Sequence, residues 1–541
     1  MAAVYASRIL DVRRQDVVVI GGGHNGLVAA AYLARAGLST LLVERRDLLG
    51  GAAVTEEPWP GYRVSTLSYV LSLMPARIIG DLRLRRHGLH LYPLDPAYFA
   101  PFPDGRGLLV WEEPEAAAAE IAAFDRADAR AYLEYERDLT ELAGIVRPLL
   151  LRVPPSVALR SWADIREAIG LGRFFFRRRR SLARLADLMT LSVADFLEQY
   201  FTDEAVRGAL APGGVIGAWG GPMSPGSAYV LLHHRMGDAA GPHGAWAFVR
   251  GGMGALSDAI AAEARAAGAE VRTGTEVVDV FVAGGRARGV TLSDGTRVAA
   301  RAVVSAIHPK TTLLDLVGSE HLPADTVRDL SRYRTRGASA KVNLALAALP
   351  DFVARPGLGE GPQHPEFIIS PTVPYLERAW DEAKYGRPSS APMLDCVIPT
   401  TKDPTLAPEG RHVLTCFVQY APRHLADGGS WDEEREALGD RVVDTLAGYA
   451  PNLPDAILHR QVITPLDLER EYGLLGGNIF HGEMALDQLF SLRPTPAMSD
   501  HRTPVRGLYL AGSGTHPGGG VMGAPAYNAV RVVRADLRRR L

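Results

Sequence analysis

The hydrophobic pattern at the start of the chain alternates between buried strands and a buried helix. A β-branched run at residues 16–20 is typical of a strand that is covered on both faces. A glycine-rich turn at residues 21–26 follows it, and an Ala/Leu-rich stretch at residues 27–36 predicts a helix that ends at Gly37. Residues 38–44 return to a strand pattern. This order predicts a βαβ unit with parallel strands.

The rest of the chain switches between helical and strand patterns. Residues 76–245 are mainly helical in pattern, whereas residues 310–500 mix strands with helices. Two later segments return to the pattern of the first: residues 251–307, and a strand at residues 507–512 with a helix that starts near Met522. We therefore expect an α/β protein in which a Rossmann-like domain is interleaved with a second domain made of a mixed sheet and helices.

A glycine motif lies in the turn between the first strand and the first helix. Gly21, Gly23 and Gly26 have the Gly-x-Gly-x-x-Gly spacing, and Glu44 ends the next strand 18 residues after Gly26. Such glycines allow a tight turn, close approach of the backbone to a pyrophosphate, and close packing of helix on sheet. The helix N-terminus favours phosphates, and Glu44 accepts hydrogen bonds from an adenosine ribose. The motif therefore favours FAD or NAD over NADP.

Two further segments favour FAD over NAD. Gly50 and Gly51 come soon after Glu44 and predict a second close approach of the backbone to a long cofactor. Residues 508–528 predict a strand, a glycine-rich turn and a helix whose N-terminus points at a ligand. A reduced isoalloxazine carries negative charge near its N1, and a helix N-terminus stabilises that charge. A flavin cofactor held by both ends of the chain fits this pattern.

Composition and charge exclude several classes of protein. The 541 residues are 47% hydrophobic and 22% charged, as in an ordinary globular protein of more than one domain. A formal net charge of −2 argues against general nucleic-acid binding. Cys396 and Cys416 form no Cys-x-x-Cys motif, which excludes a dithiol centre and a cysteine-rich zinc site. Without a secretory signal or an apolar run of about 18 residues, a cytoplasmic location is expected.

The motifs together resemble one family of flavoproteins. The two ends of the chain, with Gly251-Gly-Met-Gly254 and Val303-Val-Ser-Ala-Ile307, resemble the phytoene desaturase branch of the flavin amine oxidase superfamily. Within that branch, His24-Asn25, residues 231–236 and residues 478–483 are most similar to the pyridine nucleotide-disulphide oxidoreductase domain-containing protein 2 group. The resemblance covers nearly the whole chain. It implies an FAD-binding domain of the glutathione reductase/amine oxidase type.

The pattern and the resemblance together divide the chain into two interleaved domains. We expect the FAD-binding domain to consist of residues 1–75, 246–310 and 500–541. We expect residues 76–245 and 311–499 to form a substrate-binding domain with a helical cap. The substrate would then lie between the two.

The resemblance also implies which residues contact FAD. Glu44 takes the adenosine ribose, Val277 meets the adenine, and Arg46 with Gly50–Gly51 lies along the pyrophosphate and ribityl chain. Members of the wider superfamily carry an acid where this chain has Ser513, so the sequence departs from the family pattern there. The complete set of predicted FAD contacts is Gly21, Gly23, His24, Asn25, Gly26, Glu44, Arg45, Arg46, Gly50, Gly51, Ala52, Val277, Gly512, Ser513, Gly520, Val521 and Met522.

One side chain is the candidate catalytic residue. Lys341 lies in the mainly apolar run 338–346, at a point where amine oxidases place a lysine that is bonded through water to flavin N5. Burial there would lower its pKa, and either the neutral amine or its charge would assist reoxidation by oxygen. The alternative is that Lys341 begins an edge strand and faces solvent. No Ser/His/Asp triad or metal-ligand cluster is evident, and hydride transfer to flavin N5 requires none.

The sequence also bears on the electron acceptor and on surface partners. No second strand–glycine motif–helix unit is found, so electrons are expected to pass to oxygen, a quinone or another carrier. Residues 174–185 place three phenylalanines beside four arginines. This pattern fits a contact with a membrane surface, an exposed helix end or an oligomer contact.

The sequence therefore predicts an FAD-dependent oxidoreductase, a phytoene desaturase-like dehydrogenase. The expected reaction is desaturation or saturation of a small apolar substrate, such as a polyene or isoprenoid, through flavin N5. Two alternatives stay open: a flavin amine oxidase that produces hydrogen peroxide, and a non-catalytic carrier of prenylated or lipid ligands. The intact glycine motif and Glu44 count against the carrier.

Overall fold

Two seven-stranded sheets form the framework of the protein. The computed structural model describes residues 13–157, 162–241, 244–357 and 366–539. Within them, the first sheet consists of β1 (Arg13–Ile20), β2 (Thr40–Val43), β9 (Glu270–Arg272), β10 (Val277–Val282), β11 (Ala287–Leu292), β12 (Arg297–Ser305) and β18 (Leu508–Leu510). The second consists of β6 (Tyr98–Pro101), β7 (Gly107–Val110), β13 (Ser339–Leu346), β14 (Glu366–Ile369), β15 (Met393–Val397), β16 (His412–Gln419) and β17 (Ile457–Ile463). Two strand pairs lie apart from them: β3 (Thr55–Trp59) with β4 (Tyr62–Ser65), and β5 (Leu91–Pro93) with β8 (Ala247–Val249).

The first sheet brings the carboxyl ends of five parallel strands, β9, β2, β1, β12 and β18, to one edge. Its strands run in the order β10-β11-β12-β1-β2-β9, and β18 pairs with β12. The central strand β1 is parallel to both β2 and β12, and its Val17–Ile20 segment is buried. Ligands of open α/β sheets bind at the carboxyl ends of such strands.

Helices cover both sheets. They are α1 (His24–Arg35), α2 (Ala76–Asp81), α3 (Pro114–Ile121), α4 (Arg126–Val146), α5 (Trp162–Arg177), α6 (Arg179–Thr190), α7 (Val193–Glu198), α8 (Glu204–Leu210), α9 (Ala228–His234), α10 (Met253–Ala266), α11 (Ala324–Arg332), α12 (Val373–Lys384), α13 (Trp431–Ala447), α14 (Leu453–Ala456), α15 (Pro465–Arg470) and α16 (Ala524–Arg538), with a π-helical segment at Thr311–Gly318. The Ala-rich helices α1, α10 and α16 pack together against one face of the first sheet. Helices α4 and α6–α9 share a core with one face of the second sheet, and α13 covers its other face.

A buried carboxylate fastens the helices of the first sheet to one another. Glu263 on α10 is fully buried and accepts hydrogen bonds from Arg35 at 2.9 Å, from Arg83 at 2.9 Å and from His87 at 2.7 Å. Because a buried carboxylate is costly without partners, these donors hold α1, α10 and the segment after α2 in one arrangement. The packing beside the glycine motif depends on that arrangement.

The fold class predicted from the sequence is confirmed, whereas the boundaries of the two domains stay a prediction. The expected βαβ unit is present as β1, α1 and β2. The mainly helical pattern of residues 76–245 was incomplete, because the segment also contains β5, β6 and β7. These strands have only three or four residues each, which is too short for a periodic pattern to reveal. In the described part of the chain, no helix combines the length and apolar character that crossing a bilayer requires.

Candidate active site

One elongated cavity of about 310 Å³ collects most of the predicted site residues. It begins at the carboxyl ends of β1 and β2, passes the end of β12, and reaches β13 and β16 of the second sheet. The predicted residues that line it are Gly21, Gly23, His24, Asn25, Glu44, Arg45, Arg46, Gly51, Ala52, Val277, Lys341, Ser513, Gly520 and Val521. Residues that are 500 positions apart in the sequence therefore share one wall.

The other four predicted residues lie behind this wall. A Cβ at Gly26 would lie well under 3.0 Å from the Gly21 carbonyl oxygen and 3.0 Å from its carbon, so Gly26 lets α1 pack on the glycine turn. Gly50 and Gly512 are likewise pressed against neighbouring backbone, and Met522 is fully buried. Their place in the structure is that of packing residues beside the cavity.

Glu44 is held in place by the turn that precedes the first helix. Its carboxylate accepts hydrogen bonds from the backbone N–H of Gly22 at 2.6 Å and of Arg46 at 2.9 Å. Each carboxylate oxygen retains a further lone pair, and the side chain lines the cavity. This arrangement suits an acceptor for the hydroxyls of a ribose, as the sequence predicts.

The two ends of the chain meet at the beginning of α1. The Asn25 side chain donates a hydrogen bond to the Ser513 hydroxyl at 3.1 Å and lies 3.0 Å from the His24 ring nitrogen. Neither α1 nor α16 has a side-chain cap at its N-terminus. Backbone N–H groups at these two helix ends are therefore left for an anionic ligand, which the helix dipoles also favour.

Several buried polar atoms on the cavity wall have no hydrogen-bond partner within the described part of the chain. They are Asn25 Oδ1, Arg46 Nη1, His308 Nε2, Lys341 Nζ and His481 Nδ1. Native proteins rarely leave such atoms unsatisfied, so a polar ligand that fills the cavity is expected to pair with some of them. The backbone of Val521 also has a φ of 56°, a strained value for a β-branched residue and one that often marks a ligand site. These features fit a long cofactor with polar groups along its length.

Lys341 is buried at the far end of the cavity. The alternative of an edge strand that faces solvent is wrong, because β13 is paired on both sides, with β16 and β17, and Lys341 is 3% exposed. Its Nζ lies 3.9 Å from the centre of the Tyr69 ring and has no hydrogen-bond partner among the described residues. Burial lowers the pKa of Lys341 to about 7. Both the ammonium and the neutral amine are therefore populated near neutral pH.

Comparison with known families agrees with this geometry. The model for the flavin-containing amine oxidoreductase family matches residues 26–526. The chain belongs to this family. It is an oxidoreductase, and FAD is its cofactor. The assignment of the glycine turn and Glu44 to the adenosine side, and of Gly520 and Val521 to the flavin side, stays a prediction, and all of these residues line the same cavity.

Individual relatives place the chain more closely. It is 44% identical to the mouse protein called pyridine nucleotide-disulfide oxidoreductase domain-containing protein 2, over 97% of this chain and 94% of that one. It is 27% identical to the lycopene-forming phytoene desaturase of a Paracoccus species, over 97% of this chain and 98% of that one. The crystal structure of an oxidoreductase from Methanosarcina mazei has the same fold, with a TM-score of 0.58 and 17% identity over 96% of this chain and 99% of that one. The resemblance to the phytoene desaturase branch is confirmed.

Several cavity residues were not found from the sequence. They include Tyr69, His308, Phe417, Tyr472 and Phe480. Each comes from a different loop or strand. Two of them had a signal: Phe480 lies in residues 478–483, which carry the family resemblance, and His308 directly follows the predicted strand that ends at Ile307. The end of a parallel strand in such a sheet is where a ligand contact is expected.

Replacing Glu44 by Gln is expected to weaken FAD binding roughly 10- to 100-fold, because a charged acceptor is lost while the shape is kept. The measurement is a fluorescence titration of the apoprotein with FAD. Glu409→Gln, on the exposed surface, is the control and should bind FAD like the unaltered protein. An unchanged affinity in Glu44→Gln would show that this carboxylate does not contact the cofactor.

Proposed function

We propose that this flavoenzyme desaturates, or in reverse saturates, an apolar substrate of the polyene or isoprenoid class. The observation that carries the proposal is the character of the cavity near Lys341. The apolar and aromatic residues that line the cavity include Leu67, Tyr69, Val70, Ile216, Trp246, Phe417 and Ile479, among a few polar ones such as Ser68 and Ser339. The acidic residues that line the cavity in the described chain are Glu44, Glu276 and Glu471, all on the adenosine side.

This distribution of charge disfavours an amine substrate. A substrate ammonium group near Lys341 would meet a partly protonated lysine, whereas the acidic residues that line the cavity in the described chain lie on the adenosine side. Burying a cation without a partner is costly, whereas an apolar chain gains free energy from the same surroundings. The walls therefore suit a hydrocarbon better than an amine.

The chain's own residues have two tasks in such a reaction. Bound FAD supplies a hydride acceptor at flavin N5. The apolar walls exclude water and hold the reacting carbon in place. Desaturation also releases a proton from the adjacent carbon, and the neutral amine of Lys341 is the group placed to accept it. In the saturating direction its ammonium returns that proton.

The relatives support the apolar substrate and leave the electron acceptor open. The Paracoccus relative is named for phytoene and lycopene. The mouse relative's name refers to disulfides, but in this chain Cys396 and Cys416 are free thiols within the core of the second sheet and do not line the cavity. We propose oxygen, a quinone or another carrier as the acceptor.

The test is the visible spectrum of the purified protein under anaerobic conditions. A lipid extract of the native cells is expected to bleach the bound flavin, and a panel of primary amines is not. Bleaching by an amine with formation of hydrogen peroxide in air would instead establish the amine oxidase, for which the buried Lys341 is the favouring observation. A colourless protein that cannot be loaded with FAD would overturn catalysis and leave the carrier of lipid ligands.

The proposed membrane contact at residues 174–185 stays a prediction. On α5, Trp162, Ile169 and Phe176 are spaced by seven residues and are 84%, 52% and 67% exposed. The guanidinium group of Arg179 lies 4.9 Å from the centre of the Phe176 ring. An exposed apolar row flanked by arginines suits a lipid surface, the location from which an apolar substrate would come.

A further inference from the structure

A second cavity of about 120 Å³ lies beside the flavin cavity. The two cavities share Ile216, His234 and Trp246 in their walls. Three acidic residues also line the second cavity: Glu366, which is 4% exposed, the buried Glu136, which is paired with Arg235, and Glu112, which lies on the exposed surface. The second cavity therefore reaches from the interior of the second sheet to solvent.

A buried pair of carboxyl groups lies between the two cavities. Asp395 on β15 is directly opposite Ile368 on β14, so Glu366, two residues before Ile368, lies on the same face of the sheet. Asp395 is fully buried and lines neither cavity. The hydroxyl of Tyr69, a residue that lines the flavin cavity, donates a hydrogen bond of 2.6 Å to Asp395 Oδ2.

Buried carboxylates with a structural role are usually paired with cations or hydrogen-bond donors, and the pairing of Asp395 and Glu366 is incomplete. Asp395 Oδ1 and Glu366 Oε2 are both buried without a hydrogen-bond partner among the described residues. The groups that act on the pair are Tyr69 and Lys341 around Asp395, and Glu112 beside Glu366. Lys341, itself shared with the flavin cavity, is the positively charged group that acts on Asp395.

The pair therefore holds a proton near neutral pH. Burial raises the pKa of Asp395 to about 6, and it raises the pKa of Glu366 well above its usual range. Two neighbouring carboxyls in a region of low dielectric constant cannot both be ionised without a large cost in free energy. Glu366 is accordingly the protonated partner and Asp395 the acceptor of the Tyr69 hydrogen bond.

We propose that Tyr69, Asp395 and Glu366 form a buried proton path that joins the flavin cavity to the second cavity and, past Glu112, to solvent. The path rests on the flavin chemistry proposed above, but not on the identity of the substrate. Tyr69 passes its hydroxyl proton to Asp395 and regains one from the flavin cavity. Asp395 passes a proton to Glu366, which gives its own to water in the second cavity. One proton enters, one leaves, and each group returns to its starting state.

The direction of the Tyr69 hydrogen bond and the distance from Lys341 to the carboxyl pair both suit proton transfer out of the flavin cavity. The Tyr69 hydroxyl already donates toward Asp395, which is the outward direction for a proton released by oxidation of substrate. Lys341, Phe417 and Asp395 are in register on three adjacent strands, so the proton acceptor proposed in the cavity and the buried pair are about 10 Å apart. The path would give the proton taken up by Lys341 a route out of the flavin cavity.

The test follows electrons and protons separately. The bound FAD is reduced by light with EDTA as the electron donor, the EDTA is removed, and the flavin is then oxidised anaerobically by ferricenium, each ion of which takes one of the two electrons. A pH-indicator dye reports the proton released to a weakly buffered solution. In the unaltered protein, proton release should keep pace with the return of the flavin absorbance. In Asp395→Asn and Glu366→Gln it should lag at least tenfold, since an amide does not relay an acidic proton.

A matched control and a second readout keep the outcomes distinct. Thr415→Val removes a buried, unpartnered hydroxyl from the same face of neighbouring β16 and should behave like the unaltered protein. The infrared carbonyl band of protonated carboxyls should be present at neutral pH and clearly weaker in Glu366→Gln, with or without FAD; burial raises the pKa of Glu112 to about 7, so its band should remain. Proton release that keeps pace in both carboxyl variants, or no such band in the unaltered protein, overturns the path. If the unaltered protein does not bind FAD, both the path and the proposed function are overturned. Normal flavin spectra in all variants leave the proposed function intact even when the path fails.

Discussion

Lys341→Met is expected to slow substrate-driven reduction of the flavin about 100-fold or more while making the protein more stable. The loss of rate follows from removing the group that accepts the substrate proton. The gain in stability follows from removing a buried amine whose pKa is lowered to about 7, because the folded state pays to keep it charged. Stopped-flow absorbance measures the first effect, and urea unfolding measures the second.

The stability effect of Lys341→Met has a defined dependence on pH. Below about pH 7 the lysine is charged in both folded and unfolded states, so the whole penalty is present. Between about pH 7 and its ordinary pKa of 10.5 the unfolded chain binds more protons than the folded one, so stability rises with pH. The variant should therefore exceed the unaltered protein by about 3 kcal/mol at pH 6, after allowance for the lost contact with Tyr69, and by little at pH 10.

The control for this prediction is Lys402→Met, which lies away from the cavity and should change neither quantity much. A Lys341→Met variant that loses stability at pH 6 would show that the ammonium has a partner in the folded protein. A variant that retains full activity would show that Lys341 takes no proton in the reaction.

Gly26→Ala is expected to abolish retention of FAD and to destabilise the fold by about 3 kcal/mol or more. The added Cβ would collide with the Gly21 carbonyl group, and the Ala306 side chain lies only 3.3 Å from its position on another side. Both neighbours belong to the ends of β1 and β12, so relief requires α1 to move away from the sheet. That movement opens the turn that faces the pyrophosphate. The measurements are the flavin content of the purified protein and its unfolding in urea.

Gly144→Ala is the matched control for Gly26→Ala. Gly144 lies within α4, and a Cβ there would meet nothing within 4 Å. The same chemical change should therefore raise stability by about 0.5–1 kcal/mol through helix propensity and leave the flavin content unchanged. If Gly26→Ala retained flavin at the level of this control, the close packing of α1 on the glycine turn would not matter for the cofactor.

The sequence alone was sufficient for the cofactor end of the molecule. Strand β1, the glycine turn, α1 and Glu44 are contiguous, so their geometry follows from local rules of turn formation and helix packing. The glycine-rich C-terminal segment has the same local character, and the sequence predicts that a flavin contacts both ends of the chain. The hydrogen bond between Asn25 and Ser513 that joins the two ends is a finding of the structure. Short strands such as β6 were not predicted, because three or four residues are too few to show a clear period of hydrophobic positions.

Only the tertiary structure decided which side chains lie around Lys341, where the substrate is proposed to bind. Whether Lys341 faces solvent depends on whether β13 has one neighbour or two, and strand order in a sheet is set by packing across the whole chain. Tyr69, Asp395 and Glu366 are separated by up to 326 positions, and no local pattern marks them. The cofactor site is built from neighbours in sequence, and the proton path from neighbours in space. Local interactions determine the cofactor site. Contacts between residues that are far apart in the sequence, made when the second sheet is buried, determine the proton path.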